Sequence, residues 1–196
     1  MTSKPALTLY FSPGSSSMAA HIALHEVGAA FEPRPLSSKR GDTRTPEYLA
    51  INPEGKVPTL LIDGRPLTEV AGILFYLARA FPEAGLLPSD AEDQARAVSW
   101  MSFLASSVHP ARGKGPEHAR AIYGIADARL AGRTWALGDY SIVDIHLFRL
   151  FWRFGPLIDL APGECPNLEA HRARMLERPA VIATIEAESA LGYELT

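Results

Sequence analysis

Residues 9–28 read LYFSPGSSSMAAHIALHEVG, and this stretch decides how the first part of the chain folds. The apolar run Ala6–Phe11 predicts a buried strand, which ends in a turn at Pro13-Gly14. A cluster of N-cap residues, Ser15-Ser16-Ser17, then opens a helix. Apolar residues recur at helical spacing as far as Gly28, a natural stop signal. We call residues 13–17 the serine turn.

The serine turn could also bind an anion or take part in catalysis. A helix N-terminus carries partial positive charge and unpaired N–H groups, so it stabilises a nearby anion. A serine hydroxyl at that place could hydrogen-bond to a bound thiolate and lower the pKa of the thiol. Simple capping of the helix is the alternative role of the same serines.

Strand and helix patterns continue beyond the serine turn. Phe31–Leu36 contains two prolines and predicts an edge strand. Val57–Ile62 predicts a second buried strand, and Asp63-Gly64 predicts a hairpin turn into Arg65–Leu67. A helix is expected from Glu69 to Phe81, and a loop with a short helix precedes the second buried strand. The predicted order is therefore β-α-β, loop, β-β-α.

From Ser89 onward strand signals nearly vanish. A long helix is predicted to run to about His109, and shorter helices are expected at 116–131, 141–154, 166–177 and 179–189. We therefore predict an α/β domain over residues 1–83 and an all-α domain over residues 89–196.

Composition excludes several classes of protein. Of the 196 residues, 47% are hydrophobic and 21% are charged, which is typical of a soluble globular chain and not of a disordered one. The weakly acidic pI of 6.1 gives no reason to expect nucleic acid as a partner. No segment approaches the roughly 18 apolar residues of a membrane span, and the N-terminal apolar run is too short for a signal peptide. We expect a cytoplasmic protein without a membrane partner.

The second motif is NPEGKVP, residues 52–58. Pro58 stands near the start of a predicted strand, where it cannot donate to a ladder. A cis Val57–Pro58 bond would turn the chain and free the N–H and C=O of Val57 for a peptide-like ligand. An ordinary trans proline at a strand edge is the alternative.

Two further groups of polar residues open or follow predicted helices. Thr68 is expected to cap a helix with Glu69 in its first turn, where Glu69 could hold an ammonium group or serve only the helix. On the long helix, one face carries small polar groups that could line a cleft or face solvent: Ser99, Ser102, Ser106 and His109.

Other signals point to folding rather than chemistry. Ser141 and Asp144 form the pattern of a capping box. His21 and His25 have the i, i+4 spacing of metal ligands, but no third ligand is near, so we expect a structural pair and no metal. Cys165 is the only cysteine and is a weak candidate nucleophile.

Together these motifs resemble the glutathione S-transferase superfamily, and the nearest likeness is to the bacterial beta class. The resembling stretches span nearly the whole chain: residues 9–28, INPEGKVPTLLIDG (51–64), LTEVAGILFYLA (67–78) and GDYSIVDIHLF (138–148). The resemblance implies a thioredoxin-like N-terminal domain joined to an all-helical C-terminal domain. It also implies a cis bond between Val57 and Pro58.

The resemblance further implies how glutathione would bind. The backbone of Val57, before Pro58, would pair with the cysteinyl part. Glu69 and Val70 would hold the γ-glutamyl end. Lys39 or the adjacent arginine, Arg40, would approach the glycyl carboxylate.

The catalytic hydroxyl has two candidates. The beta class has cysteine where this chain has Ser16, so a mixed disulfide with glutathione is not available here. Serine-type classes place their hydroxyl one residue earlier, which makes Ser15 the first candidate and Ser16 the second.

The electrophile side differs from the family pattern. Ser106 and His109 would border the site from the helical domain. Pro110 replaces the lysine that follows the beta-class histidine, and the connection from His109 to Glu117 is short, which predicts a reshaped pocket. Val70 stands where the family usually has serine or glycine.

The function that the resemblance implies is transfer of the glutathione thiolate to a small hydrophobic electrophile, as in detoxification, by a cytoplasmic homodimer. Glutathione would be a co-substrate, and no metal is implied. Alternatives are a glutathione-dependent isomerase or reductase, or a non-catalytic member of the fold that acts as a binding protein.

Overall fold

The structure is a computed structural model that describes residues 4–193. The chain divides into two compact units. The first, called the sheet unit, contains the chain up to Leu77 together with the segment from Pro179 onward. The second, called the helical unit, contains Ala78–Arg178.

The strands are β1 (Leu7–Phe11), β2 (Glu32–Pro35), β3 (Thr59–Ile62) and β4 (Arg65–Thr68). The helices are α1 (Ser17–Glu26), α2 (Pro46–Ile51), α3 (Val70–Ala80), α4 (Ala91–Phe103), α5 (His109–Ala111), α6 (Pro116–Leu130), α7 (Ile142–Phe154), α8 (Pro166–Leu176) and α9 (Pro179–Leu191). This order of elements confirms the prediction. The prediction succeeded because apolar residues at strand or helix spacing mark each element, and Pro and Gly residues mark where the elements end.

The sheet has the strand order β2-β1-β3-β4. Its central pair, β1 and β3, is antiparallel, whereas β1 and β2 are parallel. The β2 strand is exposed throughout, as expected of an edge strand with two prolines. Asp63 and Gly64 both have positive φ, 50° and 80°, so the predicted hairpin turn joins β3 to β4.

The C-terminal helix α9 belongs to the sheet unit, where it packs on α1. The predicted division at residues 83 and 89 counts this helix with the helical domain by its place in the sequence, whereas its contacts in the structure are with α1. The reason is one face of α9 at helical spacing that is buried: Ala180, Val181, Thr184 and Glu188.

The helical unit is built around α7, in which Ile142–Phe151 are all buried. The predicted capping box is present, since Ser141 caps the helix and Asp144 reaches back to the Ser141 N–H. The predicted long helix is continuous, but it is not α-helical throughout. One turn of π-helix, Leu104–Val108, follows α4 and leads into α5.

None of the helices within residues 4–193 combines the length and the apolar character that a bilayer crossing requires.

Candidate functional site

The serine turn leads directly from β1 into α1. Gly14 has φ of 72°, which only glycine adopts without strain, and it reverses the chain after Pro13. Ser16 occupies the N-cap position but makes no capping bond with its side chain. Ser15 does this instead, because its Oγ accepts the Ser17 N–H at 3.2 Å. The expected capping role therefore falls to Ser15.

Ser17 is buried, and its hydroxyl bonds to groups on both sides of the turn. Its Oγ accepts the Ser12 N–H at 3.1 Å and donates to the Ser12 carbonyl at 3.1 Å. The same Oγ lies 2.7 Å from Ser15 Oγ, and either hydroxyl can be the donor. The Ser12 carbonyl also accepts the Ser15 N–H at 3.0 Å. Ser17 can therefore donate its hydroxyl hydrogen either to the Ser12 carbonyl or to Ser15 Oγ.

The second motif meets the serine turn at Val57. Ser16 Oγ donates to the Val57 carbonyl at 3.0 Å. The Val57–Pro58 bond is cis, which confirms that prediction. Val57 is half-buried, and its N–H makes no hydrogen bond within the described residues. The structure thus brings Ser15, Ser16 and Val57 to one edge of the sheet unit.

Buried side chains hold the NPEGKVP loop in place. Tyr48 Oη donates to the Lys56 carbonyl at 2.6 Å and lies 2.9 Å from Thr59 Oγ1. Asn52 Nδ2 donates to the same carbonyl at 2.9 Å. Burial raises the pKa of Tyr48, so its hydroxyl stays protonated as this donor role requires. The network fixes the chain immediately before Val57.

The start of α3 differs by one residue from the expectation. Thr68 is the last residue of β4, and Glu69 precedes the helix, which starts at Val70. Glu69 has φ of 66°, a left-handed conformation that costs about 1–3 kcal/mol for a residue other than glycine. Its side chain is exposed. A strained backbone beside an exposed carboxylate is a feature of binding sites rather than of ordinary helix starts.

Val70 is 8% exposed, so its side chain belongs to the core. Its N–H is the first of α3 and has no acceptor within residues 4–193. The valine therefore offers a ligand its backbone, not its side chain.

Lys39 lies on an exposed turn after β2. The adjacent Arg40 is held by Asp42, with Nη2 at 3.1 Å from Oδ2. Of the two basic residues in this turn, the lysine is the one without an ion pair in the described chain.

Sequence reasoning missed Glu188, which anchors the serine turn from α9. This fully buried carboxylate accepts the Gly14 N–H at Oε2, at 2.7 Å, and lies 2.9 Å from His21 Nδ1 at Oε1. His21 is buried beside it and stacks on His25 with ring centroids 5.2 Å apart. The separation of 174 residues between Gly14 and Glu188 leaves no local pattern that could reveal the pair.

The helical unit carries Ser106 and His109, which are both exposed. Ser106 lies in the π-helical turn, and its Oγ donates to the Ser102 carbonyl at 2.8 Å. His109 stacks on Phe154 with centroids 5.8 Å apart. Partial burial and the nearby charge of Arg149 lower the pKa of His109, so its imidazole is neutral at neutral pH.

Two other chemical groups lie outside these sites. Cys165 is buried, and burial raises the pKa of its thiol to about 11, which makes it unreactive. Within the described residues no cluster of three or more His, Cys, Asp or Glu side chains could hold a metal ion.

The α/β unit that carries the serine turn is a thioredoxin-like domain, and a helical domain follows it along the chain. Family profiles described as "Glutathione S-transferase, N-terminal domain" and "Glutathione S-transferase, C-terminal domain" match residues 5–79 and 106–179. The chain belongs to the glutathione S-transferase family.

Individual relatives agree along nearly the full length. Glutathione S-transferase GstA of Escherichia coli O157:H7 is 30% identical over 93% of this chain and 98% of that protein. A glutathione transferase homologue from Sulfitobacter, solved with bound glutathione, has a TM-score of 0.87 at 31% identity and covers 93% of this chain and 98% of that one. A beta-class enzyme from Sphingomonas chungbukensis has a TM-score of 0.81 at 34% identity, with coverages of 92% and 98%.

Proposed function

We propose that this protein is a glutathione transferase that binds glutathione in its sheet unit and directs the thiolate at a small electrophile. The observation that carries the proposal is the bond from Ser16 Oγ to the Val57 carbonyl. It brings a hydroxyl-rich helix N-terminus to a backbone segment whose Val57 N–H is available to a peptide-like ligand. The Sulfitobacter relative was solved with glutathione, which supports the same ligand here.

The residues of the sheet unit fit glutathione by their chemistry. The Val57 N–H suits the cysteinyl carbonyl of a peptide. Glu69 offers a carboxylate for the α-ammonium of the γ-glutamyl end, and the Val70 N–H, at the N-terminus of α3, suits its α-carboxylate. Lys39 provides an exposed cation for the glycyl carboxylate.

The thiol needs a donor that stabilises its ionised form. Ser15 Oγ lies at the N-terminus of α1, where it accepts the Ser17 N–H at 3.2 Å and faces the Ser17 hydroxyl at 2.7 Å, so a thiolate bound beside it would also meet the positive end of the helix. Ser16 could donate to sulfur only by leaving the Val57 carbonyl, which has no second donor within the described residues. This difference supports Ser15 as the first catalytic candidate and Ser16 as the second.

The reaction is a nucleophilic transfer. The thiol proton passes to solvent, the sulfur lone pair forms the bond to the electrophilic carbon, and the leaving group departs with its bonding pair. The helical unit, with Ser106 and His109, would supply the pocket for the electrophile, and the assembly would be a cytoplasmic homodimer. Sedimentation that gives only a 21.3 kDa species at micromolar concentration would contradict the dimer.

The serine variants test the mechanism. A charge-assisted hydrogen bond contributes about 1.5–3 kcal/mol, so Ser15→Ala should lower turnover about ten- to a hundredfold at neutral pH. Part of the loss should return at high pH, where the thiol ionises unaided, while glutathione affinity changes little. Ser16→Ala should do less. The measurement is the pH–rate profile with 1-chloro-2,4-dinitrobenzene, together with a glutathione titration by calorimetry.

The outcomes separate the readings. A larger loss in Ser16→Ala would reverse the assignment of the two hydroxyls. Glutathione binding without measurable turnover in the unmodified protein would favour a non-catalytic binding member of the family.

A further inference from the structure

The segment after α9 returns to the serine turn within the sheet unit. Gly192 has φ of 80°, which turns the chain after α9 and lets Tyr193 fold back along the helix. The Tyr193 hydroxyl donates to the Ile185 carbonyl at 3.1 Å, and the side chain is half-buried. Burial and the negative charge of Glu188 raise the pKa of Tyr193, so its hydroxyl keeps the hydrogen that it donates. The ring of Tyr193 is thereby held against α9.

Tyr193 also contacts Gly14, the residue directly before Ser15. A Cβ atom added at Gly14 would lie 3.0 Å from Tyr193 Cδ1 and 3.6 Å from Tyr193 Cε1. The edge of the ring therefore occupies the space that any side chain at this position would need. The serine turn requires glycine here for two reasons, the φ of 72° and the close approach of the ring.

Gly14 is the residue of the serine turn whose backbone is least restricted. Because it has no Cβ, many combinations of φ and ψ are open to it, and local preference does not fix the direction in which the chain continues. A rotation about the ψ bond of Gly14 turns the following peptide and moves Ser15. Contacts that hold Gly14 therefore also set the position of the Ser15 hydroxyl.

Two side chains hold Gly14 from the C-terminal part of the sheet unit. Glu188 accepts the Gly14 N–H at 2.7 Å, which fixes the peptide before Gly14. The Tyr193 ring covers the face of Gly14 that a side chain would occupy, which limits rotation at its Cα. A hydroxyl that stabilises an anion must be held to within about 0.5 Å of its working position. The ring is placed to do this because it acts on the residue adjacent to Ser15.

The two side chains differ in what else they stabilise. Glu188 is fully buried and also faces His21, so its loss disturbs the packing of α9 on α1. Tyr193 follows the last turn of α9 and is half-buried, so a change there should leave the fold intact. The effect of Tyr193 on the chemistry can therefore be measured apart from folding.

We propose that Tyr193 is a positioning residue for the catalytic hydroxyl: its ring fixes Gly14 and thereby aims the Ser15 hydroxyl at the glutathione sulfur. This inference rests on the proposed transferase function and adds a residue to its machinery. A tyrosine that only secured the chain to α9 would act through its hydroxyl bond to Ile185, whereas the positioning role needs only the ring. Phenylalanine and alanine at this position separate the two roles.

The quantity that tests the inference is the pKa of the bound glutathione thiol. It is read from the ultraviolet absorbance of the thiolate as pH is varied, and kcat and KM with 1-chloro-2,4-dinitrobenzene are measured over the same range. Tyr193→Ala should raise the thiol pKa by about half a unit to one unit and lower kcat at neutral pH about three- to tenfold, since one unit is a tenfold change in ionisation. The loss should recover at high pH, and KM for glutathione should change little.

Three comparisons assign the effect to the ring and to Ser15. Tyr193→Phe keeps the ring and should leave the thiol pKa unchanged. Leu191→Ala is the matched control, because it removes apolar bulk from an exposed position at the end of α9 and should change neither the thiol pKa nor kcat. In the Ser15→Ala background, Tyr193→Ala should add nothing, because changes that act through one group are not additive.

Amide hydrogen exchange provides a measurement that needs no ligand. In the protein without glutathione, Tyr193→Ala should speed exchange of the Gly14 and Ser15 N–H groups several-fold, as followed by nuclear magnetic resonance. Exchange in the buried strand β1 should stay unchanged, which shows that the variant folds.

The outcomes separate this inference from the function on which it rests. An unshifted thiol pKa in Tyr193→Ala with normal turnover would overturn the inference and leave the transferase function standing. A raised thiol pKa in Tyr193→Ala, with no conjugation by any form of the protein, would overturn the transferase function and support the inference. Equal effects of Tyr193→Phe and Tyr193→Ala, or a further shift in the Ser15→Ala background, would overturn the inference. Unchanged exchange at Gly14 and Ser15 would overturn it whether or not glutathione binds.

Discussion

Two buried carboxylates each hold a turn that leads into a helix, one in each unit. In the helical unit, Asp144 accepts the Ser141 N–H at Oδ2 and the Ala136 N–H at Oδ1, at 2.9 and 2.8 Å. His171 Nε2 lies 3.0 Å from the same Oδ1. In the sheet unit, Glu188 accepts the Gly14 N–H at one oxygen and faces His21 Nδ1 with the other. Both carboxylates are 0% exposed.

The difference lies in the donors. Each oxygen of Asp144 faces a backbone N–H, which can only donate. One oxygen of Glu188 faces a histidine nitrogen, which becomes an acceptor when the ring changes tautomer. Asp144 therefore requires both oxygens of a carboxylate, whereas an amide can satisfy the partners of Glu188. The turn at Ser141 therefore requires the carboxylate of Asp144, whereas the turn that carries Ser15 would accept an amide in place of the Glu188 carboxylate.

Asp144→Asn should have the largest effect on stability. In either amide orientation the NH₂ group must face a backbone N–H, so one buried donor loses its acceptor. The loss of a buried charged partner costs about 3–5 kcal/mol in the free energy of unfolding. Urea unfolding followed by circular dichroism measures it, with Asp139→Asn as the control because Asp139 is exposed in the preceding loop. A loss below about 1 kcal/mol would remove the contrast between the two carboxylates.

Glu188→Ala should rank second, at about 1–3 kcal/mol, because it removes the acceptor for a buried backbone N–H and a buried histidine. Glu188→Gln should cost clearly less, since its oxygen can accept from Gly14 while its NH₂ donates to His21. Turnover should fall in Glu188→Ala as well, because Gly14 directly precedes Ser15. The control is Glu186→Ala, on the exposed face of α9. Equal losses in the two Glu188 variants would show that charge, not hydrogen-bond pattern, is what this site needs.

Acid should destabilise the folded protein through His146, a buried histidine of the helical unit. His146 is buried on α7, and its Nδ1 has no partner within the described residues. Burial, Arg149 and His109 lower the pKa of His146 to about 3. Between about pH 6.5, the pKa of an unfolded histidine, and pH 3, the unfolded chain binds a proton that the folded chain excludes. Stability should therefore fall as pH falls through this window, by up to about 1.4 kcal/mol per pH unit.

The variant His146→Leu tests this pH dependence. It should flatten the plot of unfolding free energy against pH between pH 7 and pH 5. His25→Gln should flatten it less: burial and His21 lower the pKa of His25, but this side chain is exposed on α1. An unchanged slope in His146→Leu would mean that another group governs the acid response.

Much of the sheet unit could be predicted because its signals are local. The serine turn, the Asp63-Gly64 hairpin and the cis Val57–Pro58 bond each depend on residues adjacent in sequence. The prediction for α3 was displaced by one residue, since the left-handed conformation of Glu69 lets β4 run to Thr68 before the helix begins. A strained backbone at a residue other than glycine has no sequence signal.

By itself the sequence determined the order of strands and helices, the capping box at Ser141 and Asp144, and the motifs that mark the glutathione S-transferase family. These depend on spacings of a few residues, within which backbone geometry fixes what can meet. Only the tertiary structure decided that α9 joins the sheet unit, that Glu188 binds the Gly14 N–H, and that Arg112 lies over the Phe154 ring. Such contacts join residues far apart in the chain, and packing of whole elements, not local preference, determines which side chains they bring together.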